Sequence, residues 1–134
     1  MPPTRRDPGD PRVWLRRARG NLARARADHG LPDVLYEDLC FDAQQAAEKA
    51  IKAVLVRRRV HFPRTHAISD LLTLAAESGL VVPNEVQEAT DLTSYAVETR
   101  YPGEWEDVSE EEYRHAIELA NRVLRWAEQL IGSP

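Results

Sequence analysis

The stretch Phe41-Asp-Ala-Gln-Gln-Ala-Ala-Glu-Lys-Ala-Ile-Lys-Ala-Val-Leu55 decides the fold. Alanine gives up no side-chain entropy in a helix, and Gln, Glu and Lys give up little, so the run is strongly helical. Ala43, Ala46, Ala47, Ala50, Ile51, Val54 and Leu55 recur at three-and-four spacing, which makes one apolar stripe of mostly small side chains suited to close helix packing. Gln44, Gln45, Glu48, Lys49 and Lys52 form a compact polar cluster within the same turns. Gln45, Lys49 and Lys52 fall near one face, and Gln44 and Glu48 share another. One reading makes Glu48 and Lys52 an ordinary surface pair at i,i+4, worth about 0.3 kcal/mol. The other makes Gln45, Glu48, Lys49 and Lys52 the polar lining of a ligand groove beside a dimer seam.

Working outward, the same periodicity extends this helix from Pro32 or Asp33 to about Val60, with Arg57, Arg58 and Arg59 placed favourably against its dipole. Upstream, Asp10-Pro11 reads as an N-cap followed by proline in the first turn. Val13, Trp14, Ala18, Leu22 and Ala25 then continue a helix to about Asp28, closed by His29-Gly30. Downstream, Thr65 precedes a short helix over Ala67 to Ser78, which Gly79 stops. Pro83-Asn84 opens a fourth, with Val86, Ala89, Leu92, Tyr95 and Ala96 inward, ending before Pro102. Ser109-Glu-Glu-Glu112 is a capping box for a last helix reaching about Ile131. No segment alternates with period two and no repeat is present. The expectation is an all-α, up-and-down four-helix bundle with an additional short helix, spanning 11–132 behind a flexible segment 1–10.

The 134 residues suit one domain, and 43% apolar residues suffice for one core. No apolar run approaches the roughly 20 residues needed to cross a bilayer. Arg5 and Arg6 have no apolar stretch behind them, so the start does not read as a secretory signal, and a cytoplasmic location is expected. The single cysteine, Cys40, excludes an internal disulfide and reads as a small core hydrophobe. The net charge of −4 argues against a surface that coats nucleic acid generally. Its distribution is uneven: a basic block runs from Arg5 to Arg26 and an acidic one from Glu98 to Glu112. No cofactor or metal is expected. Glu111 and His115 lie at i,i+4, but two ligands are too few for a site.

The run Phe41–Leu55, the segment Pro63-Arg-Thr-His66 leading into Leu71-Leu72, and Thr99-Arg-Tyr-Pro102 together resemble the HEPN domain family. The resemblance covers about Trp14 to Leu130. It implies a four- or five-helix bundle that commonly pairs into a homodimer. Small bacterial members are often encoded beside a minimal nucleotidyltransferase and act with it in toxin–antitoxin or related systems. Some members are metal-independent ribonucleases carrying Arg, four to six residues, then His. Others hold a nucleotide or substrate without cleaving.

Two pairs fit that spacing, Arg24 with His29 and Arg59 with His66. Neither falls near the helix where the family places its motif. Arg100 does, but no histidine follows it within reach, so cleavage is not the expected activity and no catalytic residue is assigned. Arg100 and Tyr101 instead join the ligand-binding candidates as an anion-recognition pair; the bland alternative is an arginine paired with the acidic loop and a tyrosine packing the bundle end. Arg57, Arg59, Arg64 and His66 are phosphate- or RNA-contact candidates, because guanidinium groups hold phosphates through parallel donors. The bland alternative there is helix-end neutralisation, with His66 capping the next helix. Trp14, Trp105 and Trp126 read as core or interface anchors. The function expected is a nucleotide- or RNA-binding regulatory protein working with a nucleotidyltransferase partner. The alternatives are a metal-independent endoribonuclease toxin and a structural dimerisation module.

Overall fold

The computed structural model describes residues 7–96, 103 and 106–132, and among them there is no strand. The elements are α1 (Pro11–Ala27), α2 (Tyr36–Arg57), α3 (Ile68–Glu77), α4 (Asn84–Gln87) continued by a 3-10 helix (Glu88–Ala96), and α5 (Glu110–Ile131). The fold is the expected all-α, up-and-down bundle. α1 runs antiparallel to α5, since Arg19 pairs with Glu128 at one end and Tyr113 donates to the Ala25 carbonyl at the other. α2 also opposes α1. α4 and the 3-10 helix oppose α5, with Arg122 on Glu88 at one end and Tyr95 on Glu112 at the other.

α2 is the central rod, packing against α1, α3, α5 and the 3-10 helix. Ala43, Ala46, Ala47, Ala50 and Ala53 are fully buried, and this small-residue surface is what lets neighbours close in on several sides. Leu15 and Leu22 of α1 and Leu119 and Val123 of α5 belong to the core around it. Cys40 is buried beside Leu39, as expected of a small hydrophobe.

Local chemistry sets the boundaries. Asp10 caps α1 by accepting from the Arg12 amide, with proline in the first turn. Ser109 caps α5 by accepting from the Glu112 amide at 3.1 Å. α2 starts at Tyr36 rather than at Pro32 or Asp33, because Asp33 sits at φ +66 and Leu35 is 56% exposed. Trp14 is half-buried at the rim, while Leu15 takes the core position; the indole nitrogen donates to the Pro8 carbonyl. The fourth wall tightens from α to 3-10 geometry after one turn. Thr90, Thr93 and Ser94 crowd that segment; the Ser94 hydroxyl bonds the Asp91 carbonyl in competition with the helical ladder, while Thr93 turns to α3 and accepts from the Ile68 amide. α3 is the additional short helix.

Candidate functional site

The polar cluster of α2 turns into the protein rather than outward. Gln44, Glu48 and Lys52 lie one turn apart on the same stripe, and all three are buried, Glu48 to 3% exposure. The Glu48 carboxylate receives Lys52 Nζ on Oε2 at 2.9 Å, and Gln44 Nε2 at 3.0 Å and His66 Nδ1 at 2.8 Å on Oε1. Gln44 also donates to the His66 carbonyl and accepts from Gln45 Nε2. Burial by itself pushes the Glu48 carboxyl up. The donors on Lys52, Gln44 and His66 outweigh it and hold the group below the ordinary glutamate range, so it is ionised at neutral pH.

This arrangement settles the histidine's tautomer. An ionised carboxylate only accepts, so Nδ1 of His66 carries the proton that bonds Glu48, and Nε2 is the nitrogen left for anything outside. The His66 side chain is 67% exposed. A solvent-facing imidazole is therefore fixed from beneath by a buried anion, while its own carbonyl is held by Gln44. Lys52 is steadied from the other side by the Trp14 and Phe62 rings, whose centroids lie 5.8 and 5.6 Å from Nζ. The reading of Glu48 and Lys52 as an ordinary surface pair does not hold, since both are buried.

A second network joins α1 to α2. Asp42 accepts Asn21 Nδ2 at 3.1 Å and a forked pair of bonds from Arg24, and Asn21 Oδ1 takes Lys49 Nζ at 2.7 Å. Burial first, and then the Arg17 charge, lower the Lys49 pKa. Lys49 thus parts from Lys52, with which sequence grouped it. Asn21, Arg24 and Asp42 were not among the site candidates. The available signal was Asn21 itself, a polar residue three past Ala18 and four before Ala25 on the core stripe of α1.

The remaining candidates divide. Arg24 is engaged by Asp42, and His29 stacks on Tyr113 at 4.9 Å and approaches Glu110 at 3.5 Å, so each of that Arg/His pair has its own partners. Arg57, Arg59 and Arg64 are exposed, and Arg58 is tied to the Ser78 hydroxyl and carbonyl. Arg100, Tyr101 and Trp105 lie outside the described residues. Members of the two blocks find partners elsewhere in the subunit: Arg19 pairs with Glu128 at 2.6 Å, and Glu110 approaches His29 at 3.5 Å. No helix of the described residues is long and apolar enough to cross a membrane.

Comparison with known proteins bears on the family and the fold. The model of the HEPN domain matches residues 11–130. The crystal structure of an archaeal HEPN homologue is similar with a TM-score of 0.73 and 27% sequence identity, over 92% of this chain and 98% of that one. No curated protein matches. With a helical bundle whose central rod carries the family's signature run, and a family match over nearly its whole length, this chain belongs to the HEPN domain family.

Proposed function

We propose that this protein is a nucleotide- or RNA-binding regulator that works as a homodimer in the cytoplasm, beside a nucleotidyltransferase in a toxin–antitoxin-like system. Membership of the HEPN family supports the nucleotide- or RNA-related part of this reading. The observation that carries it is the exposed His66 ring held by buried Glu48. In this reading His66 contacts the ligand and Arg57, Arg59 and Arg64 hold phosphates. Glu48, Lys52 and Gln45 act from beneath as positioning residues. Lys49 lines the adjoining α1–α2 face, and Arg100 and Tyr101 complete the anion-recognition set.

Fluorescence anisotropy with a labelled single-stranded RNA tests it. Replacing His66 by Ala should weaken binding by about tenfold, the worth of one hydrogen bond to a charged group. Unchanged affinity in both His66→Ala and Arg64→Ala would refute the reading. Co-expression with the nucleotidyltransferase of a neighbouring reading frame tests the partner: the two should co-purify.

One observation favours a second reading. The carboxylate-held ring leaves Nε2 of His66 facing outward, as a general base would need. Metal-independent RNA cleavage would then persist in chelator and vanish in His66→Ala. RNA left intact by the wild-type protein rules this out.

A further inference from the structure

The C-terminal turns of α2 and α3 close by the same hydrogen bonds, yet with different residues at the critical position. In α3 the Gly79 amide donates to the Ala76 carbonyl at 3.0 Å and the Leu80 amide to the Ala75 carbonyl at 3.3 Å, with Gly79 at φ +101. In α2 the Arg59 amide donates to the Val56 carbonyl at 3.0 Å and the Val60 amide to the Leu55 carbonyl at 2.9 Å, with Arg59 at φ +60. This closure requires one left-handed residue, for which glycine is suited and a long L side chain is not. The chain supplies glycine to one copy of the turn and arginine to the other. Strain of this kind persists where the side chain has a task.

The Arg59 side chain borders a cleft of about 500 Å³ between the start of α1 and the ends of α2 and α5. Arg57 and Ile131 are shared with a neighbouring trough of about 410 Å³, where Val54, Leu80 and Leu130 supply apolar wall. Both volumes fall within the roughly 300–1,000 Å³ usual for small-molecule sites. The other charges nearby are already engaged. Asp10 accepts from Arg12 at 2.9 Å, Asp7 accepts from the Gly9 amide, and Arg58 is bound to Ser78. Among the described residues, Arg57 and Arg59 form no ion pair.

We propose that this end cleft binds a phosphomonoester carried on a flat or aliphatic body, with Arg57 and Arg59 forking onto the phosphate and the body lying against Ile131, Leu80 and Leu130. The proposal deepens, and rests on, the nucleotide- or RNA-binding reading given above. Two guanidinium groups match a dianionic phosphate in charge and in donor geometry. The adjoining apolar wall suits the group that the phosphate is attached to.

The test uses the full chain and isothermal titration with adenosine 5′-monophosphate, inorganic phosphate, adenosine and single-stranded RNA. Arg59→Gly and Arg59→Asn both suit a left-handed turn, so neither should impair folding. The monophosphate should bind wild type more tightly than phosphate or adenosine does, and both variants should lose about tenfold or more in its affinity. Arg59→Gly should meanwhile melt about 2–5 °C higher, as relief of strain requires. Wild-type affinity in both variants, or a lower melting point for Arg59→Gly, overturns the proposal. If monophosphate affinity is indifferent to Arg59 while RNA binding depends on His66, the cleft assignment fails and the broader reading stands on His66 and Arg64. If monophosphate and phosphate binding depend on Arg59 while no RNA binds, the cleft stands and the RNA reading falls.

Discussion

Changing Glu48 to Gln probes the interior network most directly. The substitution keeps the shape of the side chain and one carbonyl acceptor, but removes the only anion bonded to Lys52 among the described residues. Lys52 is 8% exposed, so its ammonium cannot simply turn to water. Stripping one partner from a buried pair costs about 3–5 kcal/mol. Two features soften this: the Trp14 and Phe62 rings offer the cation about 0.5–2 kcal/mol, and the glutamine oxygen still accepts one bond. The expected loss is therefore about 2–4 kcal/mol at pH 7. In urea, with a slope of about 1–3 kcal/mol per molar, the midpoint followed by circular dichroism should fall by about 1–2 M. The pH dependence gives an independent check. The folded-state pKa of Glu48 lies below its unfolded value, so its contribution is complete above the unfolded value of about 4.3 and is lost as pH falls through the folded value. The variant should lack that part of the acid limb. A midpoint change equivalent to less than about 0.5 kcal/mol, or an unaltered acid limb, refutes the reasoning.

Lys49 predicts a pH dependence of the same sign at the alkaline end. Its folded pKa is depressed, so the unfolded chain binds more protons between that value and about 10.4, and stability should rise with pH across this window. Lys49→Met should flatten the rise, measured as the difference between the two melting-temperature profiles; parallel profiles count against it. Tyr113→Phe deletes the buried 2.9 Å bond to the Ala25 carbonyl that ties α5 to α1, and should cost about 1 kcal/mol in urea titration, with a gain in stability being the contrary result.

Much of the fold could be read because one signal dominated it. An alanine stripe with apolar partners at helical spacing fixes the period of α2 before any contact is known, and Asp10, Gly79 and Ser109 mark helix ends through local hydrogen bonding. The fourth wall was less legible. Its apolar positions fit an α-helix, but the switch to 3-10 geometry accompanies a bond between Thr93 and the Ile68 amide, 25 residues away, which no local pattern encodes. The site was legible by residue type and not by direction. Lys49 and Lys52 sit three apart, yet one reaches Asn21 on α1 and the other Glu48 on its own helix. Side-chain length lets a lysine choose between two flanks of a helix, and the choice depends on where neighbouring helices place acceptors. Arg59 was read as a basic residue among three; its left-handed backbone is invisible without the turn.

The interior network also bears on why the ring of His66 is where it is. If Gln44, Glu48 and Lys52 served only to bind α2 into the bundle, apolar side chains of similar volume would serve as well, because replacing a buried ion pair by packed hydrophobes is often neutral or stabilising. What Leu and Met could not do is hold a proton on Nδ1 of an exposed histidine and keep Nε2 facing out. The double variant Glu48→Leu/Lys52→Met separates the two roles. It should be more stable than Glu48→Gln alone, since no charge is left stranded, and so approach wild type. Its RNA affinity should nonetheless drop with that of His66→Ala, because the ring loses its anchor. A double variant that is both stable and fully competent in binding would assign the network to architecture alone and detach His66 from it.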